Sequence, residues 1–205
     1  MWQSRFIFIT VCYILYTFHS EVLNPFATEV TVLGSDCPGN ITGLSTFPLS
    51  ALNGVYKAVE FYSPGSLEDQ CYRIRFTPIN DNKSKVRIGY KTAVGLPLYI
   101  DFIFLSENVN GSFKIMDSIT GAINLGEAYI LSNGSAILYY SCRPGFQGLL
   151  KSHSSEVLVL TQNDTITWTP EDEEKMKDDL RNQTIDYGIV KPCYQGPENC
   201  NSMNL

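Results

Sequence analysis

The chain has 205 residues, 44% of them hydrophobic, and a formal net charge of −6. That is enough apolar sequence for one domain with its own core. The negative balance argues against nucleic acid or an anionic membrane as a partner, because neither would be attracted. Arg5 is the only formal charge before Glu21, and the run Phe6 to Tyr16 has the apolar character and length of a secretory signal; it is too short to span a bilayer. Residues 1–20 are therefore expected to be a signal peptide cleaved after Ser20, leaving 21–205 as one secreted, extracellular domain without stable membrane insertion.

Gly54-Val55-Tyr56 opens the first strand-like run, residues 54–62. The glycine permits a tight turn, and the aromatic residue two positions on points inward to plug one end of a small barrel. Next, Tyr72, Ile74 and Phe76 alternate with Cys71, Arg73 and Arg75, and Val86, Ile88 and Tyr90 alternate with Arg87, Gly89 and Lys91, a period of two. Leu98, Ile100, Phe102 and Phe104 share one face of the longest run, Leu96 to Leu105. Runs at 111–117, 127–131, 136–142 and 156–161 bring the number of strands to eight. Asn110-Gly111 and Asn133-Gly134 are hairpin signals,. The expected fold is all-β: an eight-stranded antiparallel up-and-down barrel, wide enough for one small ligand, with a flat sandwich as the alternative. One C-terminal α-helix follows, packed outside. Thr169 is its N-cap, Pro170 its first residue and Glu171 to Glu174 its acidic first turn, with Met176 and Leu180 on one narrow apolar stripe,.

Secretion makes the cysteines informative. Cys37, Cys71, Cys142, Cys193 and Cys200 remain after the signal, an odd number in an oxidising compartment. Two disulfides and one spare thiol account for them, and the spare one could form a dimer. No Cys-x-x-Cys pair suggests a metal. Six Asn-x-Ser/Thr sequons, at Asn40, Asn82, Asn110, Asn133, Asn163 and Asn182, mark a glycoprotein. His153 is the sole histidine beyond the signal, with no nucleophile motif beside it, so no enzyme and no cofactor are expected.

In their order, the signal peptide, the Gly-x-aromatic start, the eight strands, the helix and the terminal cysteine resemble a lipocalin. The likeness covers 37–200 and is nearest to the arthropod-type group of bilin-binding, insecticyanin-like and apolipoprotein D-like proteins. Ala136 to Cys142, ending Tyr-Ser-Cys, is similar to that group's seventh strand, Glu156 to Thr161 to its eighth, and Ile185-Asp186, Gln195 and Cys200 to its tail. The resemblance implies the disulfides Cys37–Cys142 and Cys71–Cys200, with Cys193 left over or displacing Cys200. It also implies a stacked Trp–Arg pair at the closed end. This chain has Tyr56 and Gln162 at those positions, and a hydrogen bond between them is the expected replacement.

Strand alternation then proposes a lining. Tyr56, Glu60 and Tyr62 share one inward face, as do Tyr72, Ile74 and Phe76. Ile88, Tyr90, Ile100, Phe102, Phe104, Ile137 and Tyr139 complete it. Mostly apolar with several phenols, this lining suits a small hydrophobic ligand such as a pigment, lipid or retinoid. Glu60 is an inward acid that could hold a biogenic amine. Loops 80–84, 107–111 and 132–135 belong to the closed end, and loops 63–69, 92–95, 118–126 and 143–155 rim the open end. The alternative function is protein binding or inhibition through those rim loops, with Phe146, Leu149 and Leu150 as a lid or docking patch.

Overall fold

A computed structural model describes residues 32–33, 37–62, 70–91, 95–108, 111–134, 136–147, 150–162, 169–185, 191–192, 200, 203 and 205. Eight long strands form an antiparallel meander: β2 Gly54–Tyr62, β3 Gln70–Asn80, β4 Lys83–Lys91, β5 Pro97–Leu105, β6 Ser112–Asp117, β7 Asn124–Asn133, β8 Ile137–Gln147 and β9 Leu150–Thr161. Each pairs with the next, and β9 pairs back onto β2, which closes the barrel. Closure removes the exposed strand edges of a flat sheet. Two short strands escape a periodicity reading because two residues carry no period: β1, Val32–Leu33, pairs with β9, and β10, Lys191–Pro192, pairs with β2.

One end of the barrel is closed by the segment before β2. Leu44 threads between two strands, its N–H donating to Ile130 O at 2.8 Å while its carbonyl accepts from Gly111 N at 2.8 Å. Gly43 and Gly111 allow this approach: a Cβ on Gly43 would lie 2.3 Å from Gly111 O, and one on Gly111 2.7 Å from Ile130 O. Phe47, Leu49 and Leu52 are buried beneath the strands, and a 3-10 turn, Leu49–Ala51, touches β3 and β4. This apolar floor lies outside the eight strand-like runs and has no periodicity to reveal it.

The described turn residues 81–82, 106–108 and 134 lie at the floor end, as expected. The expected rim loop 143–155 is instead a hairpin arm. β8 and β9 stay paired from Arg143↔Ser154 out to Gln147↔Leu150. Pro144 and Gly145 read as loop residues, but β7 pairs with β8 only as far as Cys142. Beyond that point β8 is an edge strand, where a proline's missing N–H leaves no ladder bond unmade.

Helix α1, Pro170–Asn182, lies outside the barrel. Thr169 caps it reciprocally: its hydroxyl accepts from Asp172 N at 3.1 Å, and the Asp172 carboxylate accepts from Thr169 N at 3.3 Å,. Met176 and Leu180 are buried against Leu131, Leu138, Tyr140, Val157 and Val159, the outward residues of β7, β8 and β9. Disulfides join Cys37 to Cys142 and Cys71 to Cys200, the two pairs that the resemblance implies. Residues 1–31 and Cys193 lie outside the described residues.

Candidate functional site: the barrel interior

The inward residues form one contiguous cluster that changes character along the barrel axis. Near the floor it is aromatic. Tyr56 meets Phe76 edge-on at 5.6 Å, Phe76 meets Phe104 at 6.0 Å, and Phe104 stacks near Phe113 and Tyr139 at 6.1 and 6.5 Å. With Ile130, Ile137 and Leu160 also buried, this half is packed by side chains. Midway stand Ile74, Ile88, Phe102 and Leu158, also buried; Ile100 is partly buried against the same cluster. Toward the open end Tyr72 and Tyr90 lie nearly parallel, with ring centroids 5.9 Å apart.

Above the aromatic half the interior turns polar. Ser141 on β8 and Glu156 on β9 are directly opposed and are 2% and 4% exposed. The Ser141 hydroxyl donates to Glu156 Oε2 at 3.2 Å, and the Tyr72 hydroxyl donates to the same carboxyl from β3. Burial raises the Tyr72 phenol well above its ordinary pKa, and the Glu156 charge and hydrogen bond push it the same way. Arg143, two residues beyond Ser141, brings a positive charge close enough to oppose that shift. Its stem crosses β7 at Gly126, where a Cβ would lie 2.6 Å from Arg143 Cγ. A buried carboxyl needs hydrogen-bonding partners to be tolerated, and Ser141 on β8 and Tyr72 on β3 supply them here.

Of the expected lining, Tyr56, Tyr72, Ile74, Phe76, Ile88, Tyr90, Phe102, Phe104 and Tyr139 lie together in the buried inner cluster. The side chains of Glu60 and Tyr62 lie outside the described residues. The β2–β9 register shifts at a bulge between Ala58 and Glu60. Past it, Glu60 and Tyr62 stand opposite Val159 and Val157, members of the outer cluster, and Phe61 stands opposite the inward Leu158. Among the described residues the buried inward acid is Glu156. The alternation of β9 carried that signal, because Leu158 and Leu160 point inward and Glu156 is in phase with them. Phe113, Ile115 and Ala128 belong to the lining for the same reason.

The closed end also differs from expectation. Gln162 does not bond Tyr56; its amide donates to Asn53 O at 2.5 Å. The Tyr56 phenol is raised by burial, opposed by a backbone hydrogen bond from the same Asn53. The two side chains thus meet at one intermediate residue. Gly54, at φ +96°, fits between them: a Cβ there would be strained and 3.1 Å from the Gln162 amide nitrogen,.

No protein-family model matches the sequence, and no curated protein sequence matches it. Solved structures do. Insecticyanin from the tobacco hornworm Manduca sexta superposes with a TM-score of 0.61 at 14% identity, covering 84% of this chain and 92% of that one. Lobster apocrustacyanin A1 superposes with a TM-score of 0.53 at 13% identity, covering 80% and 95%. The siderocalin Ex-FABP, described as functioning through dual ligand specificities, gives a TM-score of 0.53 at 9% identity, covering 71% and 95%. The closed eight-strand meander, the outer helix and the inward cluster converge with these likenesses on one architecture, and the chain has the fold of a lipocalin-type barrel.

Proposed function

We propose that this protein is a secreted carrier that holds a small, mainly hydrophobic molecule in the open-end half of its barrel. The observation that carries this reading is the axial change in the lining. A packed aromatic base lies beneath a tyrosine-lined section, which leads to the buried Glu156–Ser141–Tyr72 cluster. Apolar walls with a few fixed polar groups are the usual composition of a small-molecule site, the walls supplying burial and the polar groups orientation. The ligand's body packs on Tyr72, Tyr90, Phe102 and Ile100. Its head group carries a hydrogen-bond donor, such as a hydroxyl, amide or amine, which reaches the Glu156 carboxyl. The apolar run at 6–16 together with the two disulfides supports the secreted part of this reading,.

Displacement of an apolar fluorescent probe tests this reading. Lipid-like competitors with a donor head group should displace the probe at lower concentration than matched hydrocarbons. Glu156→Gln should reduce that advantage about tenfold, the worth of one charge-assisted hydrogen bond. If no apolar probe binds the folded protein, the carrier reading is wrong. If probes bind but Glu156→Gln leaves the head-group preference intact, the assignment of Glu156 is wrong.

A further inference from the structure

The outside of the barrel carries a second concavity, independent of the interior. A groove of about 440 Å³ lies on the outer wall of β3, β4 and β5, based on Arg75, Lys85, Arg87, Asp101 and Ile103 and edged by Ser118. Strand register explains its composition. Arg75, Arg87 and Asp101 form one row across the three strands, and Thr77, Lys85 and Ile103 form the next. Arg87 is engaged with Asp101 through two contacts, at 2.7 and 2.8 Å. Arg75 and Lys85 are exposed and have no acidic partner among the described residues. The groove is therefore locally positive on a chain whose net charge is −6.

A solvated basic face would explain the cations alone, but not the wall beside them. The β6–β7 loop that supplies Ser118 is fixed by one side chain. The Asp117 carboxylate accepts from the backbone N–H groups of Ile119, Thr120, Ala122 and Ile123 at 3.1, 2.6, 3.0 and 2.8 Å, and from the Thr120 hydroxyl at 2.8 Å. The loop so held packs Gly121 close to Ile103, yet leaves Ile119 93% and Ile123 59% exposed. A loop free to rearrange would reduce that apolar exposure; this one is hydrogen-bonded into presenting it. Both edges of β4 and β5 are paired, so a partner has no free strand edge here and must be recognised by side chains.

We propose that this groove docks an acidic segment of a partner protein, its carboxylates on Arg75 and Lys85 and one apolar side chain against Ile103 and Ile119. Charge complementarity selects the acid, and the groove's Ile103, with the exposed Ile119 one residue along from the Ser118 edge, selects a peptide over a purely ionic chain. Fluorescence anisotropy of the intact protein with a labelled glutamate-rich peptide carrying a single leucine tests it. The same peptide with serine in place of leucine and a heparin-derived oligosaccharide serve as competitors. The leucine peptide should bind, and Arg75→Glu with Lys85→Glu should weaken it at least about tenfold. Ile119→Ser, or loss of the peptide's leucine, should weaken it about fivefold. If the doubly reversed variant does not fold, Arg75→Gln with Lys85→Gln should give a smaller loss in the same direction. Absence of peptide binding overturns the proposal. So does binding that ignores both the charge changes and the leucine, or an oligosaccharide that binds while the peptide does not.

Discussion

Asp117 shows how much local structure one side chain can set. Four backbone donors and a hydroxyl converge on its carboxylate, and these bonds hold its pKa well below the usual carboxylate range. A depressed folded pKa contributes stability that is fully present above the unfolded value, about 3.9, and is lost as pH falls through that value toward the folded one. Asp117→Ala should therefore lower Tm at neutral pH, and the gap to wild type should narrow below about pH 4; thermal melts at both pH values check this. The sequence carries this device only as Asp117 with Thr120-Gly121 three residues on, which reads as a generic turn. Glu156 was legible from the phase of β9. The register shift between Ala58 and Glu60 was not, because a bulge leaves no mark in residue type: the alternation of β2 continues on paper while the ladder skips a residue. Gln162 was readable as a partner of the closed end, but not its choice of the Asn53 carbonyl, because backbone acceptors are invisible in sequence.

At the level of elements, strands with one buried face were the easiest to read, since burial on one side imposes a period of two. β4 keeps that pattern from Ser84 to Ile88, and its pairing with β5 runs without interruption from Lys83 to Lys91. The floor segment and the β8–β9 arm were hidden for opposite reasons. The floor is buried without being regular, and the arm is regular despite a Pro-Gly pair. Helix α1 was visible from its cap and from its stripe of Met176 and Leu180. Leu180 is fully buried against the barrel wall, so Leu180→Ala should destabilise by about 2–5 kcal/mol, measured by urea unfolding. Cys71 and Cys200 close a separation of 129 residues. Replacing both by serine should cost roughly 2–5 kcal/mol by the same measurement. An unchanged midpoint would mean that the tail contributes nothing to the fold.

For the whole molecule, the two ends of the barrel divide the labour. The floor end is sealed by Phe47, Leu49 and Leu52, and two of the exposed sequon asparagines, Asn82 and Asn133, sit at turns there; Asn40 and Asn182 are exposed as well, while Asn110 and Asn163 lie outside the described residues. Glycans at Asn82 and Asn133 would leave the opposite mouth clear. Peptide mapping of the protein secreted from a eukaryotic host should find both occupied, and both empty would remove the argument that carbohydrate is kept from the entrance. The open end leads to the tyrosines and the Glu156 cluster, the proposed ligand site. Native mass spectrometry of the protein purified without denaturation tests that placement most directly. The expected result is a one-to-one complex with a small, mainly apolar molecule, lost on denaturation and weakened by Glu156→Gln. A ligand-free mass for the folded wild-type protein that persists after incubation with apolar compounds bearing donor head groups would contradict it.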